Sequence, residues 1–211
     1  MPRSTSTVKT AGGRWMHDRD HLAAQLAATG WALIEGFVAD AEAAFVTLRD
    51  EVAWTRQMYS RETASMGIPY NYAGASYPEA PWHPAARALA DEVGAAAGFT
   101  ATNALLNRYP TGEHSLGWHS DDVTILAPGT PIAILSFGAT RTLHLRRGAT
   151  APFELTLVPL PPGSLFVMTA AIQADHRHCL RREPGAGERI SLTLRHLTHA
   201  PPPVDRPRWG R

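Results

Sequence analysis

The sequence predicts an α+β fold: a two-sheet jelly roll (a double-stranded β-helix) with N-terminal helices packed on it. Two observations predict it. Apolar residues recur at helical spacing only before Gly98; beyond it, short apolar or alternating runs separated by Gly and Pro take over. A chain of 211 residues suits one well-cored domain, and its β half is long enough for two sheets.

The elements follow in order. Residues 1–13 (MPRSTSTVKTAGG) are small and polar, without apolar period, and read as a disordered tail. From Asp40, a plausible N-cap, to about Ala53, residues Ala41, Ala44, Phe45, Leu48 and Val52 mark a helix. A second helix opens at Trp82-His83-Pro84, where proline suits a first turn. It passes through Ala88, Leu89 and Val93 and stops near Gly98. Six strand-like runs come next: NALLNRY, PIAILSFG, TRTLHLRR, FELTLVPL, GSLFVM and RISLTLRHL. Residues 200–211 are proline-rich and read as an extended tail, which leaves 14–199 as a single domain.

Composition narrows the function classes. No apolar run reaches the length of a membrane span and no signal-like segment opens the chain, so a soluble, cytoplasmic protein is expected. Cys179 is the single cysteine, which excludes an internal disulfide and a thiolate-rich metal cluster. A net charge of +1 is too mild to mark a nucleic-acid binder, although Lys9 is the one lysine and arginine supplies the rest of the basic residues.

Chemistry concentrates in Trp118-His119-Ser120-Asp121-Asp122. In an extended strand, residues i and i+2 point the same way, so His119 and Asp121 can offer an imidazole and a carboxylate to one ion. Two histidines and a carboxylate, with other positions open, form the ligand set of non-haem Fe(II) oxygenases. The third ligand is expected from a later strand, where His176 and His178 both qualify and only one is needed.

The last strand alternates strictly. Arg189, Ser191, Thr193 and Arg195 share one face; Ile190, Leu192 and Leu194 share the other. Two arginines inside a barrel are costly unless an anion is bound there, and a dicarboxylate such as 2-oxoglutarate satisfies both. Asn103, Leu105, Asn107 and Tyr109 form a comparable face on NALLNRY.

Taken together, Asn107-Arg108-Tyr109, His119-Ser120-Asp121-Asp122, Ser136-Phe137-Gly138-Ala139-Thr140-Arg141, Met168…Gln173…His178 and Arg189-x5-Arg195 resemble the AlkB-type dioxygenases over about residues 54–197. The resemblance implies that His119, Asp121 and His178 bind Fe(II), His178 being preferred to His176 because it lies five residues after Gln173. It implies that Asn107, Tyr109, Arg189 and Arg195 hold 2-oxoglutarate. Arg61 and Pro69-Tyr70-Asn71-Tyr72-Ala73-Gly74 resemble the family's substrate segment, with Tyr72 stacking on a flipped base, Tyr70 lining the pocket and Asp122 facing the alkylated base. Arg61, and Arg141 with it, are expected to touch phosphates.

The implied activity is oxidative dealkylation of bases in alkylated DNA or RNA, consuming O2 and releasing succinate, CO2 and an aldehyde. No protein partner and no membrane is inferred. Val123, His176 and Leu180-Arg181 depart from common family residues and bear on substrate choice. Two rivals stand beside this reading: a 2-oxoglutarate-dependent hydroxylase of a protein or small molecule, and a non-catalytic nucleic-acid-binding module.

Overall fold

The computed structural model describes residues 11–58, 60–71, 75–148 and 152–200, leaving aside the side chains of 11–18 and of Met58. Three helices are followed or interleaved by eleven strands: α1 (Ala11–Thr29), β1 (Trp31–Ile34), α2 (Ala41–Glu51), β2 (Thr55–Met58), β3 (Arg61–Gly67), α3 (Pro84–Ala97), β4 (Asn103–Tyr109), β5 (Leu116–His119), β6 (Ile132–Gly138), β7 (Arg141–Arg147), β8 (Glu154–Leu160), β9 (Leu165–Met168), β10 (His176–Leu180) and β11 (Arg189–Arg195). The strands form a seven-stranded sheet in the order β1-β9-β6-β11-β4-β3-β2 and a four-stranded sheet in the order β5-β10-β7-β8. All named pairings are antiparallel, the jelly-roll arrangement expected.

The two predicted helices form for the predicted reasons. Asp40 caps α2 by accepting from Ala43 N at 3.0 Å. His83 caps α3, Pro84 starts it, and Gly98 ends it at φ 74°, where a side chain would be strained. Helix α1 was not expected, and it begins at Ala11, inside the segment read as a tail. Its amphipathic signal is weak: Leu22 is buried and Leu26 half-buried, and the rest of its described surface is short of large apolar residues. Residues 1–10 and 201–211 lie outside the described residues. Among those described, no helix is long and apolar enough to cross a membrane.

The strict alternation of β11 divides the core in two. Ile190, Leu192 and Leu194 join Phe45, Leu48, Leu89 and Val93 in the layer between helices and large sheet. Leu105, Ile134, Leu143, Leu145 and Phe166 fill the space between the sheets. Arg189, Ser191, Thr193 and Arg195 open onto that second space, and all four are buried. The polar face of β11 is therefore not a solvent face. At the β6–β7 turn, Gly138 has φ 77° and its missing Cβ would stand 2.4 Å from the Glu188 carbonyl, so the Ser136–Arg141 motif requires glycine there.

Candidate active site

A cavity between the sheets collects the candidate residues. Its walls include Asn107 and Tyr109 from β4, His119 from β5, Asp121, His178 from β10, and Arg189 and Arg195 from β11, with Tyr70 at one side. Leu105, Leu116, Ile134, Leu143, Leu160 and Leu180 supply apolar walls.

One end is mounted on neighbouring strands of the large sheet. Register sets Arg189 opposite Tyr109, Ser191 opposite Asn107, and Arg195 opposite Asn103. The Arg189 guanidinium sits 5.5 Å from the Tyr109 ring centre and donates from Nη2 to Ser136 Oγ at 2.9 Å. Its Nε is buried with no hydrogen-bond partner. Burial pushes the Arg189 pKa down to about 10, with Tyr109 acting in the opposite sense. A buried cation with an unused donor is the environment an anionic ligand would relieve.

At the other end His119 and His178 stand on strands, and Asp121 stands on a loop. β5 stops at His119, so Asp121 lies beyond the strand, and the two are not presented by simple strand alternation as expected. Side chains from elsewhere hold Asp121 instead. Arg195 Nη2 donates to its Oδ1 at 2.5 Å, and the Tyr70 hydroxyl donates to the same oxygen at 3.3 Å. Gln173 Oε1 accepts from the Asp121 backbone N–H at 2.9 Å, and the Asp122 N–H donates to the Tyr70 oxygen at 2.8 Å. The Arg195 guanidinium also lies 3.9 Å from the Tyr70 ring centre. Burial pushes the Tyr70 hydroxyl well above its ordinary pKa, which keeps it a donor.

His178 is the hub of the three candidate ligands. It faces His119 directly across the β5–β10 ladder, with ring centres 4.1 Å apart, and its Nε2 is 3.8 Å from Asp121 Oδ2. Among the described residues, no three such side chains are drawn into a closed metal cage; these meet in pairs around His178 while Asp121 leans on Arg195. Their chemistry nevertheless fits a divalent ion. Burial, and then the neighbouring His119, push the His178 pKa down to about 3, so its ring is neutral. Burial alone would raise the Asp121 pKa, but Arg195, His178 and His119 hold it well below the carboxylate range. His119 Nδ1 is 2.9 Å from the Gly117 carbonyl, which can only accept, so Nδ1 donates and, in the neutral ring, the lone pair lies on Nε2. The donor set is thus two imidazoles and one carboxylate, the ligand types a divalent iron takes.

The remaining expectations fare unevenly. Tyr70 lines the cavity, but its hydroxyl is spent on the Asp121–Asp122 loop. Asp122 is exposed, and its carboxylate accepts from Thr124 N at 2.9 Å and Thr124 Oγ1 at 2.6 Å. Arg61 is a correction: it is 4% exposed and donates from Nε to Asn107 Oδ1 at 2.6 Å, so it braces the Asn107 wall of the cavity rather than reaching out to a phosphate. Arg141 is another: it is fully buried, donates to the carbonyls of His114 and Arg181, and pairs with Glu183 at 3.7 Å. Both point inward because β3 and β7 turn those positions toward the interior. Tyr72 lies outside the described residues. Sequence reasoning used Gln173 as a spacing marker and missed its hold on Asp121; Ser136, the partner of Arg189, was also missed, although strand alternation in IAILSFG carries the signal for it.

Comparison with known proteins adds to this geometry. Residues 32–195 match the model of the 2OG-Fe(II) oxygenase superfamily. The chain belongs to that superfamily. The cofactors of this family are Fe(II) and 2-oxoglutarate, the pair for which the cavity has suitable donors. Human alpha-ketoglutarate-dependent dioxygenase alkB homolog 3 is 35% identical over 184 residues, which is 77% of this oxygenase and 64% of that protein. The mouse protein of the same name is 34% identical over 197 residues, 83% and 68% of the two chains. Human DNA oxidative demethylase ALKBH2 is 35% identical over 138 residues, 62% and 53% of the two. The chain therefore spans just under two thirds of human alkB homolog 3 and about half of ALKBH2. The solved structure of OsALKBH1 shares the fold, with a TM-score of 0.64 at 16% identity over 79% of this chain and 96% of that one. The AlkB-type resemblance is thereby borne out.

Proposed function

We propose that this oxygenase removes alkyl groups oxidatively from bases in alkylated nucleic acid. The observation that carries the reading is the meeting, in one cavity, of the His119–Asp121–His178 group with the buried Arg189 face. Relatives named as alkB homolog 3 and as a DNA oxidative demethylase support the substrate class. A protein or small-molecule hydroxylase would share the cavity but not those relatives, and the non-catalytic module would have no use for two intact residue sets.

In this reading His119, Asp121 and His178 hold Fe(II), and Arg189, with Tyr109, Asn107 and Arg195, holds the dicarboxylate. When bound, iron and 2-oxoglutarate supply the O2-dependent oxidation of the alkyl carbon, which leaves as an aldehyde. The chain contributes position and environment. Neutral His178 and the donated Nδ1–H of His119 keep both imidazole lone pairs available. Arg195 and Tyr70 fix the orientation of the Asp121 carboxylate. Leu143, Leu160 and Leu180 exclude water from the cosubstrate. With Arg61 and Arg141 inside the fold, substrate recognition falls to the cavity rim, where Asp122 is exposed. A cytoplasmic site of action belongs to the same proposal and is checked by cell fractionation.

The test is an anaerobic-to-aerobic assay with Fe(II), 2-oxoglutarate and a methylated oligonucleotide. The proposal expects formaldehyde and succinate to appear together, and only with the methylated strand stimulating both. Succinate release indifferent to every methylated DNA and RNA would sink it.

A further inference from the structure

His176 has no part in the iron or cosubstrate sets, yet it is held in place. It lies two residues from His178 on an unbroken strand and so points to the same side of the small sheet, about 7 Å further along. His178 lines the cavity, and His176, on the same side of the strand, keeps 19% of its side chain exposed. Ser120 Oγ donates to the His176 carbonyl at 2.9 Å, which ties this end of β10 to the loop carrying Asp121 and Asp122.

The ring itself is oriented by a relay. Nδ1 is 2.6 Å from Asp175 Oδ1, and Asp175 Oδ2 accepts from Arg147 Nε at 3.0 Å. Arg147 sits directly across the β7–β10 ladder from His176. The hydrogen bond from His176, and then the one from Arg147, hold the Asp175 carboxyl below its ordinary range, so it is an ionised acceptor. A carboxylate only accepts, so Nδ1 carries the hydrogen. In the neutral ring Nε2 is then an acceptor with a fixed direction, and it makes no hydrogen bond among the described residues.

We propose that His176 is a specificity-determining residue, its Nε2 accepting a hydrogen bond from the exocyclic amino group of the target base. The inference rests on the nucleic-acid reading above. Alkylated adenine- and cytosine-type bases carry that amino group; guanine- and thymine- or uracil-type bases present a carbonyl oxygen there, which would set lone pair against lone pair. Asp175 and Arg147 act through His176 as positioning residues.

The experiment uses two oligonucleotides of one sequence, one with 3-methylcytosine and one with 3-methyluracil at the target position. The readout is the ratio of kcat/KM for formaldehyde release, with binding of the same strands to iron-free protein measured by fluorescence anisotropy. One hydrogen bond from the amino group of the cationic 3-methylcytosine to a neutral imidazole nitrogen predicts that His176→Phe lowers the cytosine-over-uracil ratio about tenfold to a hundredfold. His176→Gln, whose amide reaches the Nε2 position, retains most of the ratio, and Asp175→Asn lowers it by less than His176→Phe. The anisotropy preference moves in the same direction. A ratio unchanged in His176→Phe, or equal losses on both strands that His176→Gln does not restore, overturns the assignment while leaving the proposed function standing. A wild-type protein that demethylates neither strand nor any other methylated oligonucleotide overturns both.

Discussion

The two ends of the cavity are built by different means. At the proposed cosubstrate end, Arg189, Ser191, Asn107 and Tyr109 hang from adjacent strands of the large sheet, and register alone decides which side chains meet. At the proposed metal end, Asp121 lies beyond the strand and is held by Arg195, Tyr70 and Gln173 from three separate segments. The first is a property of secondary structure; the second is a network of hydrogen bonds, each of modest net worth. The difference teaches where tolerance lies: strand-mounted groups lose function one at a time, whereas the loop can lose a tether and keep its shape in part.

The largest expected effect is at the ligands. His119→Ala, Asp121→Ala and His178→Ala should each bring turnover below detection in the succinate assay, because a two-ligand site holds Fe(II) weakly. Asp121→Ala carries a second cost, since it leaves the buried Arg195 without its carboxylate; its melting temperature should fall further than that of His119→Ala. If His176→Ala abolished iron binding and His178→Ala did not, the distal ligand would be misassigned.

Next comes the strand-mounted end. Arg189→Ala should raise the 2-oxoglutarate concentration for half-maximal rate by about tenfold to a hundredfold, the range for a charge-assisted hydrogen-bond pair. Kinetics over a wide 2-oxoglutarate range check this, and unchanged dependence would remove the arginine face from the account.

Acid should act at the proposed metal end, through His178 on β10. Its folded pKa of about 3 lies below the ordinary value near 6.5, so the unfolded chain binds a proton that the folded chain refuses. Stability is therefore fully present above about pH 6.5 and declines as pH falls toward 3, by up to about 1.4 kcal/mol per pH unit from this group. Melting curves of iron-free protein across that window should show the decline, and Fe(II), which binds only the deprotonated ring, should steepen it.

Smallest are the tethers. Tyr70→Phe removes a hydroxyl that serves both Asp121 and Asp122 but keeps the ring under Arg195, so Fe(II) affinity should drop only about threefold to tenfold. Gln173→Ala should lie in the same range, as its Oε1 holds one backbone N–H.

Legibility in the sequence follows the same division. The face of β11 could be read from alternation because a period of two is a backbone property, and the caps of α2 and α3 from residue types suited to them. The jelly roll was legible from the succession of short runs. Strands β2 and β3 were not, since TRQM and RETASMG lack apolar alternation and are ordered by pairing with β4 and each other. Helix α1 escaped because its apolar stripe is thin. The roles of Tyr70 and Gln173 depend on contacts across more than fifty positions, which no local pattern encodes. Arg61 and Arg141 were misjudged because arginine is expected at surfaces, whereas here the buried polar cavity takes them in.

The separation of the two ends is tested most directly by calorimetric titration of Fe(II) and of 2-oxoglutarate, under anaerobic conditions, into wild type, Arg189→Ala and Tyr70→Phe. Crossed losses are expected: Arg189→Ala binds 2-oxoglutarate at least about tenfold more weakly with Fe(II) affinity nearly retained, and Tyr70→Phe loses Fe(II) affinity with 2-oxoglutarate binding to the iron-loaded protein nearly retained. Parallel losses of both ligands in both variants would contradict that separation.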